Sequence, residues 1–323
     1  MAVPSSKTVI YAAFIGNGAI AITKIIAAAL TGSSAMLAEG IHSLVDTGNQ
    51  ALMLVGLARA KKPADERHPF GYGNEIYFWA FIVAILIFAV GSAVSIYEGV
   101  VKVIEPHPIK DAWINYLVLT FAFVFEAAAW WFAYKAFKGR KGKGGYLAAI
   151  RASKDPTIFT VLLEDSAAMM GIVAAFLGIL LAQITGEEWL DGAASIVIGV
   201  ILAGVAVLLA WETKGLLIGE AARPAVIQGL RRIIRETDGV LKLHELRTVH
   251  FGPNDLLVAV SVDFADELSS RDVEQAVSEI EARIKRKYRS VSSVFIEAQS
   301  PKDKPAARQR AKSGSAMLGP SSS

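Results

Sequence analysis

Residues 34–58, SAMLAEGIHSLVDTGNQALMLVGLA, are apolar over the length of a membrane span and yet contain a series of strongly polar side chains. A helix needs about 20 predominantly apolar residues to cross the hydrocarbon core of a bilayer. Glu39, His42 and Asp46 recur at intervals of three and four residues, so they share one stripe of one helix, and Asn49 extends that stripe. A charged side chain in mid-span costs about 2.5–3.5 kcal/mol on insertion scales. The stripe therefore indicates a function.

Five other apolar stretches accompany this one, and together they predict six transmembrane helices. The predicted spans lie near residues 8–30, 34–58, 76–99, 113–134, 157–184 and 190–213. Composition agrees, because 53% of the 323 residues are hydrophobic and only 20% are charged. An ordinary soluble domain is less hydrophobic and more highly charged. We therefore expect an integral membrane protein whose membrane domain covers residues 1–218.

The loops between the spans differ in charge, and this difference sets the orientation of the spans. Basic residues concentrate in the connections 59–74 and 135–154, whereas the connection 100–112 has only Lys102 and Lys110. Because basic loops stay inside, we expect both termini in the cytoplasm, and the plasma (inner) membrane if the protein is bacterial. The first apolar stretch lacks a small-residue cleavage site, which favours a retained span over a signal peptide.

Beyond residue 218 the pattern changes to that of a small soluble domain. Residues 224–236 and 273–284 have helical periodicity, and strands are predicted near 240–250, 256–264 and 291–298. The order helix, strand, strand, helix, strand predicts a cytoplasmic α+β domain over residues 219–300. Residues 301–323 are rich in Lys, Ser, Ala and Pro without periodicity, and we expect a disordered tail there.

Composition also excludes several classes of function. The chain has no cysteine, which excludes disulfides, thiolate zinc sites, iron–sulfur clusters and cysteine nucleophiles. A net charge of +3 is too small to indicate nucleic acid as a partner. The spans contain neither a His-Glu-x-x-His helix nor a serine–lysine pair, so we expect no enzyme and no resident cofactor.

The fifth span places two acids, Glu164 and Asp165, side by side in an apolar context. An imidazole and a carboxylate four residues apart on a helix can bind one divalent cation when another helix completes the shell. Asp165 is the expected partner of His42 and Asp46, since Glu164 points about 100° away around the same helix. The alternative is a buried hydrogen-bond cluster that ties two helices together. Two carboxylates and one imidazole, however, repel one another unless a cation or protons intervene.

The order and spacing of these residues resemble the cation diffusion facilitator family of divalent-metal exporters over about residues 8–300. Residues 33–46 resemble the family's second-span signature, and HPFGYG at 68–73 resembles its His-Pro-Tyr-Gly-His-Gly loop. Residues 191–195, DGAAS, resemble the opening of its sixth span. The resemblance implies that the C-terminal domain has a ferredoxin-like fold and that the protein is a homodimer.

Position by position, the resemblance implies a transport site formed by His42, Asp46 and Asp165. The family usually has a histidine or aspartate four residues before the last aspartate, where this chain has Val161. A branch of the family with mitochondrial members carries a similar Leu-Leu-Glu-Asp run without the histidine. The candidates to complete the shell are Glu164, Asn17 and a water molecule. The remaining polar residues are candidates for the ion pathway: Glu39, Asn49 and Glu126.

Two further family sites are incomplete in this chain. In the loop after the second span, Asp65 and His68 match ligands, but Tyr72 replaces the second histidine, and a phenol is a poor ligand at neutral pH. In the C-terminal domain, His244 matches one ligand and Glu297 lies on the last strand. An ordinary structural role is favoured for His244, so we expect the domain to dimerise through apolar contacts without a zinc clamp.

These features predict efflux of a divalent metal, with zinc first, by alternating access and exchange for protons. His42 is the expected proton carrier. Because Val161 replaces a possible nitrogen ligand, manganese, iron and cobalt are the alternative substrates. Channels and metal-sensing receptors are the competing classes of protein. The predicted partners are the metal ion, protons, membrane lipid and a second copy of the chain.

Overall fold

The computed structural model describes residues 6–138 and 154–299. The predicted tail at 301–323 and most of the basic connection 135–154 lie outside the described residues. The chain divides into two compact units, Met1–Glu220 with Phe251–Pro253, and Ala221–His250 with Asn254–Ser323.

The first unit is helical, and its helices form where the apolar stretches predict them. They are α1 (Ser6–Thr31), α2 (Ser34–Ala60), α3 (Glu75–Leu86), α4 (Ala93–Ile104), α5 (Ala112–Lys138), α6 (Pro156–Thr185) and α7 (Trp189–Ile218), with a π-helical segment, Ile87–Ser92, between α3 and α4. Four helices among the described residues are long and apolar enough to cross a membrane: Glu75–Ile104, Ala112–Trp131, Phe159–Thr185 and Trp189–Ile218. Helix α2 contains the polar stripe, which reduces its apolar character.

The third predicted span is longer than expected, and this corrects the interpretation of Lys102 as a loop residue. Helix α4 continues to Ile104, and the Lys102 side chain is buried. Its ammonium donates to the backbone oxygens of Gly32 at 2.9 Å and His107 at 2.6 Å. Because these acceptors satisfy the charge, the helix can extend past the lysine.

Asp191, at the start of α7, holds the beginning of α2. Its carboxylate accepts hydrogen bonds from the Ser33 hydroxyl at 2.6 Å and from the Ser34 backbone N–H at 2.7 Å. The Lys102 ammonium lies 3.9 Å from the same carboxylate. A negative charge at a helix N-terminus satisfies free N–H groups and complements the helix dipole. Asp191 therefore holds in place the N-terminus of α2, the helix that bears the polar stripe.

Helices α4 and α7 pack closely because both present small residues at their contact. A Cβ atom added to Gly99 would lie 2.6 Å from the backbone oxygen of Gly192, and the Ser195 hydroxyl donates to the Ser95 carbonyl at 2.7 Å. Small residues at such a crossing let two backbones approach and hydrogen-bond within a membrane domain. The pair α4–α7 is therefore a close-packed element beside α2.

The second unit is a small domain of helices and strands, as the periodicity predicts. It contains α8 (Pro224–Arg235), β1 (Val240–Gly252), β2 (Asp255–Phe264), α9 (Ser270–Lys287) and β3 (Val291–Ala298). The sheet order is β1-β2-β3, and β2 pairs with β3 in parallel. Alternate residues of β2, including Val258 and Val262, pack against Ile234, Ile280 and Ile284 from the two helices.

Candidate metal-transport site

The polar stripe of α2 presents His42 and Asp46 together inside the helical unit. His42 Nε2 lies 3.4 Å from Asp46 Oδ2, and the two side chains are 1% and 13% exposed. Within the described residues, both His42 nitrogens and Asp46 Oδ1 are buried without a hydrogen-bond partner. Buried polar atoms in native proteins are almost always satisfied, so unsatisfied ones indicate that a water or ion belongs there.

Helix α6 contributes Asp165, whose Oδ2 is also buried without a hydrogen-bond partner in the described part of the chain. Helix α6 is hydrogen-bonded to α2 through Glu164 and to α5 through Ser166. No three His, Asp or Glu side chains over 6–138 and 154–299 are grouped closely enough to hold one metal ion. The three-ligand site of His42, Asp46 and Asp165 therefore remains a prediction.

Glu164 of α6 is hydrogen-bonded to the polar stripe of α2, at Asn49 and not at Asp46. Asn49 Nδ2 donates to Glu164 Oε1 at 2.8 Å, and both residues are buried. This hydrogen bond links α2 to α6 about one turn beyond Asp46. The sequence predicts Glu164 as an additional ligand and Asn49 as a residue of the ion pathway. In the structure these two side chains are hydrogen-bonded to each other.

Lys24 of α1, which the sequence pattern does not assign to the site, is fully buried beside the stripe. Its Nζ lies 2.8 Å from Glu39 Oε2 and 2.9 Å from the Ser43 hydroxyl. Glu39 is also fully buried, as one half of this ion pair. The sequence does indicate a buried ion pair at Lys24. This lysine is the only charged residue within the predicted first span, and a charge in mid-span requires a partner.

The remaining predicted positions in the spans differ in burial. Glu126 of α5 is buried, and Asn17 of α1 is half-buried two turns before Lys24. Val161, which replaces the family's additional ligand, is 37% exposed one turn before Asp165.

In the loop after α2, Asp65, His68 and Tyr72 do come together, but as a hydrogen-bonded turn. Asp65 accepts from the backbone N–H groups of Arg67 and His68, at 3.0 and 2.7 Å, and from the Tyr72 hydroxyl at 2.7 Å. The bond from Tyr72 lowers the pKa of Asp65 and raises the pKa of the Tyr72 phenol. The phenol thus stays protonated and acts as a donor, which is the opposite of a metal ligand.

The two C-terminal candidates lie on different edges of the sheet. His244 is on β1 and Glu297 is on β3, with β2 between them. Neighbouring strands are about 4.8 Å apart, so the two positions are separated by at least about 10 Å. Glu297 is exposed, whereas His244 Nε2 is buried without a hydrogen-bond partner among the described residues.

Two family models match the chain in succession. The cation efflux transmembrane domain matches residues 10–218. The cytoplasmic domain of cation efflux proteins matches residues 222–299.

Similar proteins of known name include zinc and manganese transporters. The chain is 30% identical to the mitochondrial proton-coupled zinc antiporter of Xenopus laevis, over 85% of this chain and 50% of the relative. The Homo sapiens antiporter is also 30% identical, over 82% of this chain and 48% of the relative. The manganese efflux system protein MneP of Bacillus subtilis is 24% identical over 90% of this chain and 95% of the relative. The chain spans about half the length of the two zinc antiporters.

Proposed function

Because this chain belongs to the cation diffusion facilitator family, we propose that it exports divalent metal ions, with zinc as the foremost substrate. The observation that carries the proposal is the buried pair His42–Asp46, whose free ring nitrogens and carboxylate oxygen have no hydrogen-bond partner in the described residues. An imidazole and a carboxylate one turn apart supply two ligands of a zinc site.

Asp165 is the third proposed ligand. It lies on α6, its own Oδ2 lacks a hydrogen-bond partner among described side chains, and two carboxylates that share a site repel each other. A divalent cation would replace this repulsion by attraction to both carboxylates. Closure of α6 onto α2 would then complete the shell, and opening towards the other side would release the metal. This is alternating access around a midplane site.

Coupling to protons follows from the ligand chemistry. Imidazole and carboxylate bind metal in their deprotonated forms, so loading releases protons and unloading takes them up. We propose His42 as the exchanged proton's carrier, because its unperturbed pKa lies nearest physiological pH. The proton-coupled zinc antiporters among the relatives support this coupling.

Manganese is the second candidate substrate. Val161 leaves the site without the family's additional ligand, and one relative is a manganese efflux protein. Fewer nitrogen ligands weaken the preference for zinc over manganese, iron and cobalt.

The chain is an integral membrane protein, and we propose six spans, with α1 and α2 joining the four longest apolar segments. Both termini would be cytoplasmic, because with six spans they lie on the same side of the membrane as the basic connections 59–74 and 135–154. We also propose domain limits of 1–218 and 219–300, a ferredoxin-like fold for the second domain, and a homodimer. The matched cytoplasmic domain supports the last two.

Zinc uptake into proteoliposomes with an imposed pH gradient tests the coupled transport. We expect the flux to collapse when a protonophore abolishes the gradient, and His42→Ala to lose coupled flux. His107→Ala is the matched control, since its exposed ring lies in a loop outside the cluster. A flux indifferent to the gradient would indicate a channel, and metal binding without flux would indicate a receptor.

A further inference from the structure

We propose that Lys24 determines metal specificity: its ammonium occupies the Glu39 carboxylate and keeps that carboxylate out of the ligand set of the transported metal. This inference rests on the proposed function and concerns a residue outside the segments 33–46, 68–73 and 191–195 that carry the family resemblance. It relates the buried ion pair of Lys24 and Glu39 to which metal ion is transported.

The contacts of Lys24 place a fixed positive charge beside the histidine. Glu39 and Ser43, which bind its ammonium at 2.8 and 2.9 Å, flank His42 in sequence on α2. The side chains of Lys24 and Glu39 are both 0% exposed. A buried ammonium with so little access to water stays where its carboxylate partner is.

Glu39 would otherwise be well placed to bind metal. It lies one helical turn from His42 on the same stripe. Its second oxygen, Oε1, is buried without a hydrogen-bond partner in the described chain, and it contacts α6 at Gly171, where an added Cβ would overlap it. Gly171 lies on the helix that bears Asp165. Glu39 thus sits between the two helices that are proposed to close on the metal.

The charge of Lys24 acts on the whole cluster. Its ammonium is held 2.8 Å from the Glu39 carboxylate and 2.9 Å from the Ser43 hydroxyl, and a buried positive charge repels a second cation. A divalent cation at Glu39 would meet this fixed ammonium, so metal is confined to the end of the stripe at His42 and Asp46. The resulting site has one imidazole among few carboxylates, which favours zinc. An added carboxylate would favour manganese, which prefers oxygen ligands.

Competition between zinc and manganese in proteoliposomes tests the assignment. Lys24→Met frees Glu39, and we expect the ratio of manganese to zinc uptake to rise about tenfold, the lower range for changes next to metal ligands. Adding Glu39→Gln to Lys24→Met should return the ratio towards wild type, because a neutral amide replaces the freed carboxylate. Lys24→Arg keeps the cation and should keep the wild-type ratio. Thr23→Ala, next to Lys24 on α1 and with its hydroxyl bonded to the Ala19 carbonyl, is the matched control.

A binding readout separates failure of this inference from failure of the proposed function. In detergent, manganese should raise the Tm of Lys24→Met more than that of the wild type, and the effect should vanish with Glu39→Gln. A wild-type protein that transports no metal would refute the proposed function, whereas these shifts would still decide the role of Lys24. An unchanged uptake ratio in a folded, zinc-transporting variant would overturn the inference, as would equal manganese shifts. Lys24→Gln provides the same test should the methionine variant fail to fold.

Discussion

Asp191 is the residue whose removal should most disturb the start of α2. Its carboxylate accepts from Ser33 and Ser34 and lies 3.9 Å from the buried Lys102 ammonium. Asp191→Asn leaves that ammonium without its counter-charge, and breaking a buried pair costs about 3–5 kcal/mol. We expect a loss of that size in the free energy of unfolding, measured by denaturation in detergent micelles.

Glu187→Gln is the control for this prediction, because Glu187 is an exposed acid just before α7 whose carboxylate accepts a hydrogen bond from Trp189. Equal stability of the two variants would show that the Asp191 carboxylate does not hold the beginning of α2.

At the scale of residues, the sequence predicts what lies along one helix and misses what lies between helices. The spacing of His42 and Asp46 suffices to place them side by side, because helical geometry is local. Lys24 and Lys102 find their carboxylates on other helices, at Glu39 and Asp191. A charge in a span shows that a partner is needed, but the identity of that partner depends on how the helices pack.

Among the helices, the close contact of α4 with α7 depends on Gly99. A Cβ there would lie 2.6 Å from the Gly192 carbonyl, which is backbone and cannot turn aside. We expect Gly99→Ala to destabilise the protein by about 1–3 kcal/mol through overpacking. Thermal unfolding in detergent measures this loss of stability. Gly204→Ala on α7, with nothing within 4 Å of the added Cβ, should be neutral or slightly stabilising; a matching loss in both would refute the packing argument.

The first turn of α9 should depend on pH through its capping box. Asp272 accepts hydrogen bonds from the Ser269 hydroxyl and backbone N–H, at 2.6 and 3.0 Å. These bonds lower the pKa of Asp272 in the folded state. A lowered folded pKa means that the stabilisation is present above the unfolded pKa, near 3.9, and is lost as pH falls through the folded pKa.

Hydrogen–deuterium exchange of the full chain measures this effect. Asp272→Ala should speed amide exchange in the first turn of α9 at neutral pH, and the difference from wild type should disappear at strongly acid pH. Glu274→Ala, an exposed acid on the same helix, is the control. A difference that persists unchanged in acid would contradict the assignment.

The elements themselves follow largely from periodicity. Each predicted strand and helix after residue 218 is present, because alternation and helical spacing reflect which face is buried. The extension of the third span to Ile104 could not be predicted. It requires the carbonyls that receive Lys102, and these come from two separate loops.

For the whole molecule, the composition changes near residue 218, which is the proposed limit of the first domain. The two family models match residues 10–218 and 222–299. The sequence also identifies the helices that contribute the candidate ligands. It does not specify how far apart those helices stand, since that distance depends on how the helices pack. The described residues contain the His42–Asp46 pair without a closed group of three ligands.

Zinc uptake by proteoliposomes containing wild type, Asp46→Ala or Asp165→Ala tests the central claim most directly. The proposed site requires a carboxylate from each of two helices, so each substitution should abolish proton-driven zinc flux while the protein remains folded. Glu98→Ala, a change on α4 outside the cluster, should retain flux. Undiminished zinc flux in either aspartate variant would contradict a transport site built from His42, Asp46 and Asp165.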